Sequence, residues 1–544
     1  MKTLLPALAL SLAAASALSQ LNQTSTPAST PYEVVSRGPD QNTWQRTVYE
    51  MGPDGQAIPH LHSYQEIGTG LNYSSNGVWT PSSDQITVTA TAAAATNGQH
   101  QVVFLGNLNS EGAVRLTTPD GKQLSSTILG LGYYDTASGD SVVFAETTNA
   151  AGAVLPSGNE AIYTNGFIGI QADVIYSYSI SGFEQFVVLR QQPPSPANYG
   201  FNPATTFLEA LTEFFDPPSP GITPQQTAAG LDELLDFGVV KMARGSAFAL
   251  GSETNKIPVT KQWLQSSGRT ILVEQVPFQS VEPQLQNLPP ASSGSASLEG
   301  PPDSVLHRVA SHRLLPPPRL VRKNTPSLRL ADAPPKAKGF VLDYDALITQ
   351  TNLTLQADTT YYVSGLVNIY GTLTCEGGTV VKYTNSPVAS LATTNLSWAT
   401  TAFRPAIFTA KDDNTVGQTI NASSGSPSGP YGGVALNFSA NYASTGLVSN
   451  ARFSYLSNAI ACPYSTFIQD VQFNFCLTVV NALDSNYYLR NVLLNQCGRF
   501  QNGCTSCGIN IEAENSTFDG CTNLVAVPEF STLYLTNCIF VALE

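Results

Sequence analysis

No cysteine occurs in the first 374 residues of this 544-residue chain; all eight lie at or after Cys375. A small disulfide-stapled domain would space its cysteines evenly, so that class is excluded for most of the length. Charge is scarce, at 12% Asp, Glu, Lys and Arg, and it leans acidic, with a net charge of −14. Such a balance argues against a nucleic-acid partner, which would want a basic face. Beyond the first residues no stretch stays apolar for 18 residues, so no spanning helix is expected.

What is present at the start is the pattern of a secretion signal. Lys2 supplies the charge, Leu4 to Ala17 the apolar stretch, and Ala15-Ser16-Ala17 or Ala17-Leu18-Ser19 a small-residue cleavage site, so residues 1–19 read as a signal peptide. No cysteine stands near that site, which argues against a bacterial lipid anchor. Ser, Thr, Asn and Gly carry the polarity of the remainder, a common look for secreted β-rich proteins. About 525 residues remain, enough for two or more domains with full cores.

Residues 32–288 read as all-β and sandwich-like. Hairpin signals recur at Pro53-Asp54-Gly55, Asn76-Gly77, Asn97-Gly98, Pro119-Asp120-Gly121 and Asn165-Gly166. Between them run strand-like pieces: Gln101–Leu105, Ser141–Ala145, Ala172–Tyr178 and Gln185–Leu189. Leu208–Phe215 and Thr227–Phe237 also admit a helical reading. Residues 289–338 hold four proline runs and little to bury, which reads as an extended linker. From 301 to 338 there are eight Lys/Arg against two Asp/Glu, so this piece is +6 and the rest −20. A solvated tether is the expectation; contact with an anionic surface or with the chain's own acidic domains is the alternative.

Near the C-terminus five segments share a pattern: Asn or Asp, an apolar residue three on, and Cys or Leu six on. They start at Asn450, Asp470, Asn491, Asn515 and Asn537, spaced 20, 21, 24 and 22 residues apart. A repeat of that length with an apolar column is one small unit stacked on copies of itself, a parallel β-helix over residues 339–544. Positions +1 and +3 (Ala451/Phe453, Val471/Phe473, Val492/Leu494, Ser516/Phe518, Cys538/Phe540) should face inward. Position +6 (Leu456, Cys476, Cys497, Cys521, Leu543) should sit past a corner, its thiols small buried fillers. The Asn or Asp at position 0 suits a left-handed corner and can ladder from coil to coil. Residues 385–430 read as a long irregular insertion. The last repeat stops at Glu544 without a polar cap, so a truncated chain, or self-association through the open edge, is expected.

The segments GTLTCEGGTVVKYT (371–384) and FTAKDDNTVGQTI (408–420), with the repeats, resemble the right-handed parallel β-helix of large secreted bacterial proteins. IGTGLNYSSNGVW (67–79), GFEQFVVLR (182–190) and LTEFFDPP (211–218) resemble the all-β leader domain that precedes such helices in exported proteins, some with YD-repeat relatives. The resemblance implies an architecture and carries no catalytic residues across.

Polysaccharide hydrolases of the polygalacturonase type resemble this fold and need paired carboxylates with a His on adjacent coils. Here only Asp519 is acidic in the outward +2 and +4 columns, Glu512 and Glu514 precede it in what reads as a loop, and no His follows His312. A lyase using Arg and calcium lacks its cluster as well. Asp412 and Asp413 beside Asn414 offer a weak calcium site; a turn capped by its own Asp is the simpler reading. Cys504-x-x-Cys507 lacks the partners of a zinc site, and a local or cross-coil disulfide fits better. His60 and His62 with Glu66 have ligand spacing on one strand face, but a solvated polar face is commoner.

The expectation is a non-catalytic protein, secreted to the extracellular space or cell surface (a bacterial periplasm also fits), without cofactor. Its β-helix would present hydroxyl and amide side chains to polysaccharide or cell-surface glycan. The alternatives are a polysaccharide lyase or hydrolase with an atypical site, and the delivery portion of a larger toxin-like polypeptide.

Overall fold

The computed structural model describes residues 28–89, 92–227, 230–251, 256–290, 304–320, 328–331, 336–438, 445–462, 465–481, 485–501, 509–524 and 531–542. The expected signal peptide, Cys504, Cys507 and Leu543 lie outside these. The chain is all-β, 59% strand and 3% helix, and divides into a barrel-like mixed sheet and a C-terminal parallel solenoid of about seven turns.

Turn chemistry sets the strands of the body. Asn76 and Gly77 both take positive φ (52° and 79°) between Asn72–Ser75 and Val78–Pro81, a two-residue hairpin that few other residue pairs adopt without strain. The turns at Gly55, Asn97-Gly98, Gly121 and Asn165 each join consecutive strands as expected. The long strand Gln123–Asp135 pairs with Ser141–Thr147 on one side and Thr206–Phe215 on the other. Thr206–Phe215 pairs onward with Arg269–Pro277. Ala172–Ser179, Gly182–Leu189 and Phe340–Ile348 follow in antiparallel order. The result is one nearly closed sheet instead of two facing ones, filled by Tyr133, Tyr163, Tyr176, Tyr344, Phe104, Phe144 and Phe183.

Thr206–Phe215 and Gly230–Asp236 are strands, where a helix was also admissible. The alternation in the first is hidden because both faces are covered. Leu208, Ala210 and Phe214 enter the main core, while Leu211 packs outside with Leu129, Val143, Ile271, Val273 and Leu314. Leu314 belongs to the proline-rich segment, which is therefore no solvated tether where it is described. Val309–Ala310 pairs with Ser141–Val142, and Arg329–Leu330 runs parallel to Gly152–Val154. Arg313 donates to Glu209 at 2.7 Å, and Arg319 donates to the Leu129 carbonyl at 2.8 Å. The segment's positive charge meets the body's buried acids.

Each solenoid coil has three sides, and the corners are where the repeat placed them. Asn450, Asp470, Asn491, Asn515 and Asn537 all have φ between 48° and 57°. Asn491 Nδ2 donates to Asp470 Oδ1 at 2.7 Å and Asn537 Nδ2 to Asn515 Oδ1 at 2.5 Å, so the side chains ladder along the edge. A second left-handed corner falls at position +5, at Tyr455, Phe475, Gln496, Gly520 and Ala542. Phe453, Phe473, Leu494, Phe518 and Phe540 are register partners on consecutive coils. The first four are buried, and Phe408 extends the stack one coil earlier at 4.7 Å from Phe453. Phe540, on the last described coil, stacks on Phe518 at 4.9 Å yet is 38% exposed. Cys476, Cys497 and Cys521 are buried free thiols that donate to the carbonyls of Asn474, Asn495 and Asp519.

Strand pairing crosses the boundaries expected between the regions. Phe340–Ile348, expected in the first coil, pairs within the body, while Ala57–Ile67, expected in the body, pairs in parallel with Thr360–Val363. Three antiparallel strands, Glu33–Arg37, Gln41–Met51 and Ala57–Ile67, thus extend the solenoid sheet beyond its first coil, with Ile67 in the solenoid core. The expected insertion at 385–430 contains two regular solenoid strands, Ser390–Ala399 and Ala406–Ala410. Only residues 411–430 leave the coil path.

Candidate functional site

Counting backward from the corner residue exposes a column that the forward repeat does not. Positions −4 and −2 point inward: Thr466 and Ile468, Tyr487 and Leu489, Ile511 and Ala513 are buried. Position −3 must then point out. It holds Leu447, Phe467, Tyr488, Glu512 and Tyr534, in register across five coils. Position −1 holds Ser449, Gln469, Arg490, Glu514 and Thr536 beside it. Coils in parallel register stand about 4.8 Å apart, so both columns form continuous rows.

Apart from Glu512 the −3 row is apolar, and apart from the half-buried Tyr488 it is exposed. Phe467 is 44% and Tyr534 63% exposed, and the Phe467 and Tyr488 rings stack at 4.5 Å with an 18° tilt. Phe467, Gln469, Tyr488, Leu489, Arg490, Glu512 and Glu514 line a cleft of about 300 Å³. Asn510 Nδ2 donates to Asn486 Oδ1 at 2.8 Å along the row's other flank. The cleft thus offers an aromatic floor with amide, guanidinium and carboxylate groups at its edges. Water gains nothing from the rings, so their exposure on a regular sheet calls for a function.

Glu512 and Glu514 belong to the strand Ile509–Glu514, not to a loop, and both face the cleft. Their strand alternates buried Ile509, Ile511 and Ala513 with exposed Asn510, Glu512 and Glu514. Asp519 stands apart, in register with Asn495 on the next side of the coil. The three carboxylates expected as one weak set therefore divide into a pair and a single.

Asp412 and Asp413 lie in the 411–430 excursion with all four carboxylate oxygens occupied. Asp412 accepts from Ser424 N and Tyr431 Oη, both at 2.6 Å, and Asp413 from Thr409 Oγ1 at 2.8 Å and from Thr415 N and Oγ1 at 3.0 and 2.6 Å. Burial alone would raise both carboxyls, but these donors outweigh it and hold them below the usual range. Beneath them Lys382 is fully buried, donating to the Asp413 and Gln418 carbonyls at 2.7 Å each, and burial pulls its ammonium down to about 8. The pair reads as a turn lock. Glu66 Oε2 accepts from Asn42 Nδ2 and Trp44 Nε1 at 2.9 and 2.7 Å, which ties Gln41–Met51 to Ala57–Ile67, and His60 faces Glu50 at 3.6 Å.

One cluster escaped the sequence reading. Glu184, Asp343 and Asp345 converge on the outer face of the body. Burial, with repulsion from the neighbouring carboxylates, pushes Glu184 up to about 7 and raises Asp343, and burial raises Asp345. The signal was present in Asp343-Tyr344-Asp345, two acids two apart on an otherwise apolar strand. No protein-family model matches this chain, and no curated protein matches it significantly.

Proposed function

We propose that the chain is an exported, extracellular or cell-surface protein that binds glycan along the −3 row of its solenoid. On this reading the coils wind right-handed, the hand of nearly all parallel crossover connections. The observation that carries the reading is the stack of exposed Phe467 on half-buried Tyr488 beside Gln469, Arg490, Asn486 and Asn510. A sugar ring presents C–H faces that pack on aromatic rings and hydroxyls that bond to amides and carboxylates, so it matches a site of this mixed character. The row repeats with the coil, which suits a chain of sugars over a single one. The low charge and the abundance of hydroxyl and amide side chains agree with an extracellular setting.

A second reading rests on Glu512 and Glu514 sharing the cleft, with Arg490 in register with Glu514. It makes the same groove a lyase or hydrolase, with one carboxyl as acid and the other as base. A glycan array on the purified chain, with Phe467→Ala/Tyr488→Ala beside it, tests the first reading. Retention of array signal by the double variant, or no signal from the native chain, overturns it. Reducing-sugar and unsaturated-product assays on the array hits test the second: turnover that falls at least 100-fold in Glu512→Gln or Glu514→Gln would establish it.

A further inference from the structure

Glu184 and Asp345 are direct partners in the antiparallel pairing of Gly182–Leu189 with Phe340–Ile348. Asp343 lies two residues from Asp345, hence on the same face. One carboxylate oxygen from each of the three falls within 4.8 Å of the others. Like charges directly opposite in a sheet destabilise it, and here three are gathered. Asp343 is only 4% exposed, and its Oδ1 has no hydrogen-bond partner among the described residues. A buried carboxylate oxygen left unpartnered is costly, and this one faces two further carboxylates across a gap of the size a cation fills. Of the two neighbouring cations, Lys256 rests over the Phe248 ring at 5.0 Å and Lys261 pairs with Asp232 at 3.1 Å.

We propose that Glu184, Asp343 and Asp345 form a binding site for a hard divalent cation, and that calcium is the ion it fits. The donors are oxygens alone, which select calcium, magnesium or manganese over zinc or copper. Oxygens around one calcium at 2.3–2.6 Å lie at most about 5 Å apart, so the three carboxylates fit a single coordination sphere. Three carboxylates fixed on two strands suit calcium better than magnesium, which usually takes one or two and keeps its waters. Glu184 and Asp345 are half-buried, which leaves the open side of the sphere to water. Phe340–Ile348 is the last body strand before the first coil strand, Leu353–Leu355. A cation there would clamp the body where the solenoid departs from it.

Calorimetric titration of the chelator-treated full chain with calcium chloride, together with its unfolding temperature, tests this. The native chain should bind calcium, magnesium at least tenfold more weakly, and calcium should raise the unfolding temperature. Asp345→Asn should weaken calcium at least tenfold, and Asp343→Asn/Asp345→Asn should abolish both binding and shift. In chelator the double variant should unfold at or above the native temperature, because two repelling charges are gone; that result also shows that it is folded. No calcium binding by the native chain, an unchanged calcium response in the double variant, or a double variant that unfolds well below native in chelator would each overturn the proposal.

Discussion

The body buries ion pairs, and the solenoid buries repetition. Among the described residues the ion pairs with both partners largely shielded lie in the body: Arg190–Asp173 at 2.7 Å, Lys261–Asp232 at 3.1 Å, Arg244–Asp232 at 3.8 Å, Arg269–Glu213 at 2.6 Å and Arg313–Glu209 at 2.7 Å. The solenoid instead stacks one phenylalanine column, one thiol column and amide ladders. A nearly closed sheet must solve each position once, with partners from distant parts of the chain. A stack solves one coil and copies it, because each coil touches only its neighbours. The body's stability thus depends on unlike pairs matched one by one, and the solenoid's on a column that tolerates no gap.

The sharpest test of that contrast is the middle of the column. Phe473 is fully buried between Phe453, at 5.2 Å, and Leu494. Phe473→Ala should cost about 3–5 kcal/mol, the usual range for a core Phe left as a cavity. Denaturant unfolding of the full chain, followed with one probe for each region, should show the solenoid transition displaced and the body transition nearly fixed. A loss below about 1 kcal/mol, or equal displacement of both transitions, would break the nearest-neighbour picture.

The same contrast explains what could be read beforehand. Asn450, Asp470 and Asn491 disclosed the corner, and the inward Phe column followed by counting, because a repeat shows its contacts in the sequence itself. The −3 row was equally regular but was missed, since counting forward from the corner never reaches Phe467, Tyr488 or Tyr534. Within the body the turns were legible because Asn76-Gly77 and its kind act locally. The pairings were not: Glu184 meets Asp345 only because Phe340–Ile348 joins the body sheet, and that strand reads equally well as a first coil. The buried proline-rich segment was missed for a related reason. Its residues look solvated until Glu209 and Leu211 are known to lie beneath Arg313 and Leu314.

A smaller effect should distinguish the regions by pH. His100, in the body, is 1% exposed; its Nε2 lies 3.1 Å from the Gly182 carbonyl and its ring 4.6 Å from Tyr178. Burial lowers its pKa from the ordinary 6.5 to about 4. Between those values the unfolded chain holds the proton and the folded chain does not, so stability falls as pH falls from 6.5 to 4. The full loss is about 3 kcal/mol. Glu274, raised by burial to about 8, works in the opposite sense, since its folded form keeps a proton that the unfolded chain has released above about 4.5. The comparison that isolates His100 is therefore native minus His100→Phe across pH 4 to 7. The difference should grow with acidity in the body transition alone; a flat difference would mean that the imidazole is charged or solvated in the fold.

The smallest effect concerns the corners, where the solenoid should behave unlike the body's hairpins. Asn491 sits at φ 54°, and its Nδ2 donates to Asp470 Oδ1 at 2.7 Å. A side chain with a Cβ loses about 1–2 kcal/mol in this left-handed region unless, like Asn, it bonds locally, whereas glycine enters it freely. Asn491→Ala should therefore cost about 1–2 kcal/mol, combining backbone strain with a lost ladder bond. Asn491→Gly loses the same ladder bond without the strain, so it should cost well under 1 kcal/mol. The two variants separate conformation from bonding: if alanine is clearly worse, the corner selects asparagine for its backbone. If glycine is as damaging as alanine, the amide ladder carries the corner, and neighbouring coils are held by their edges as well as by the phenylalanine column.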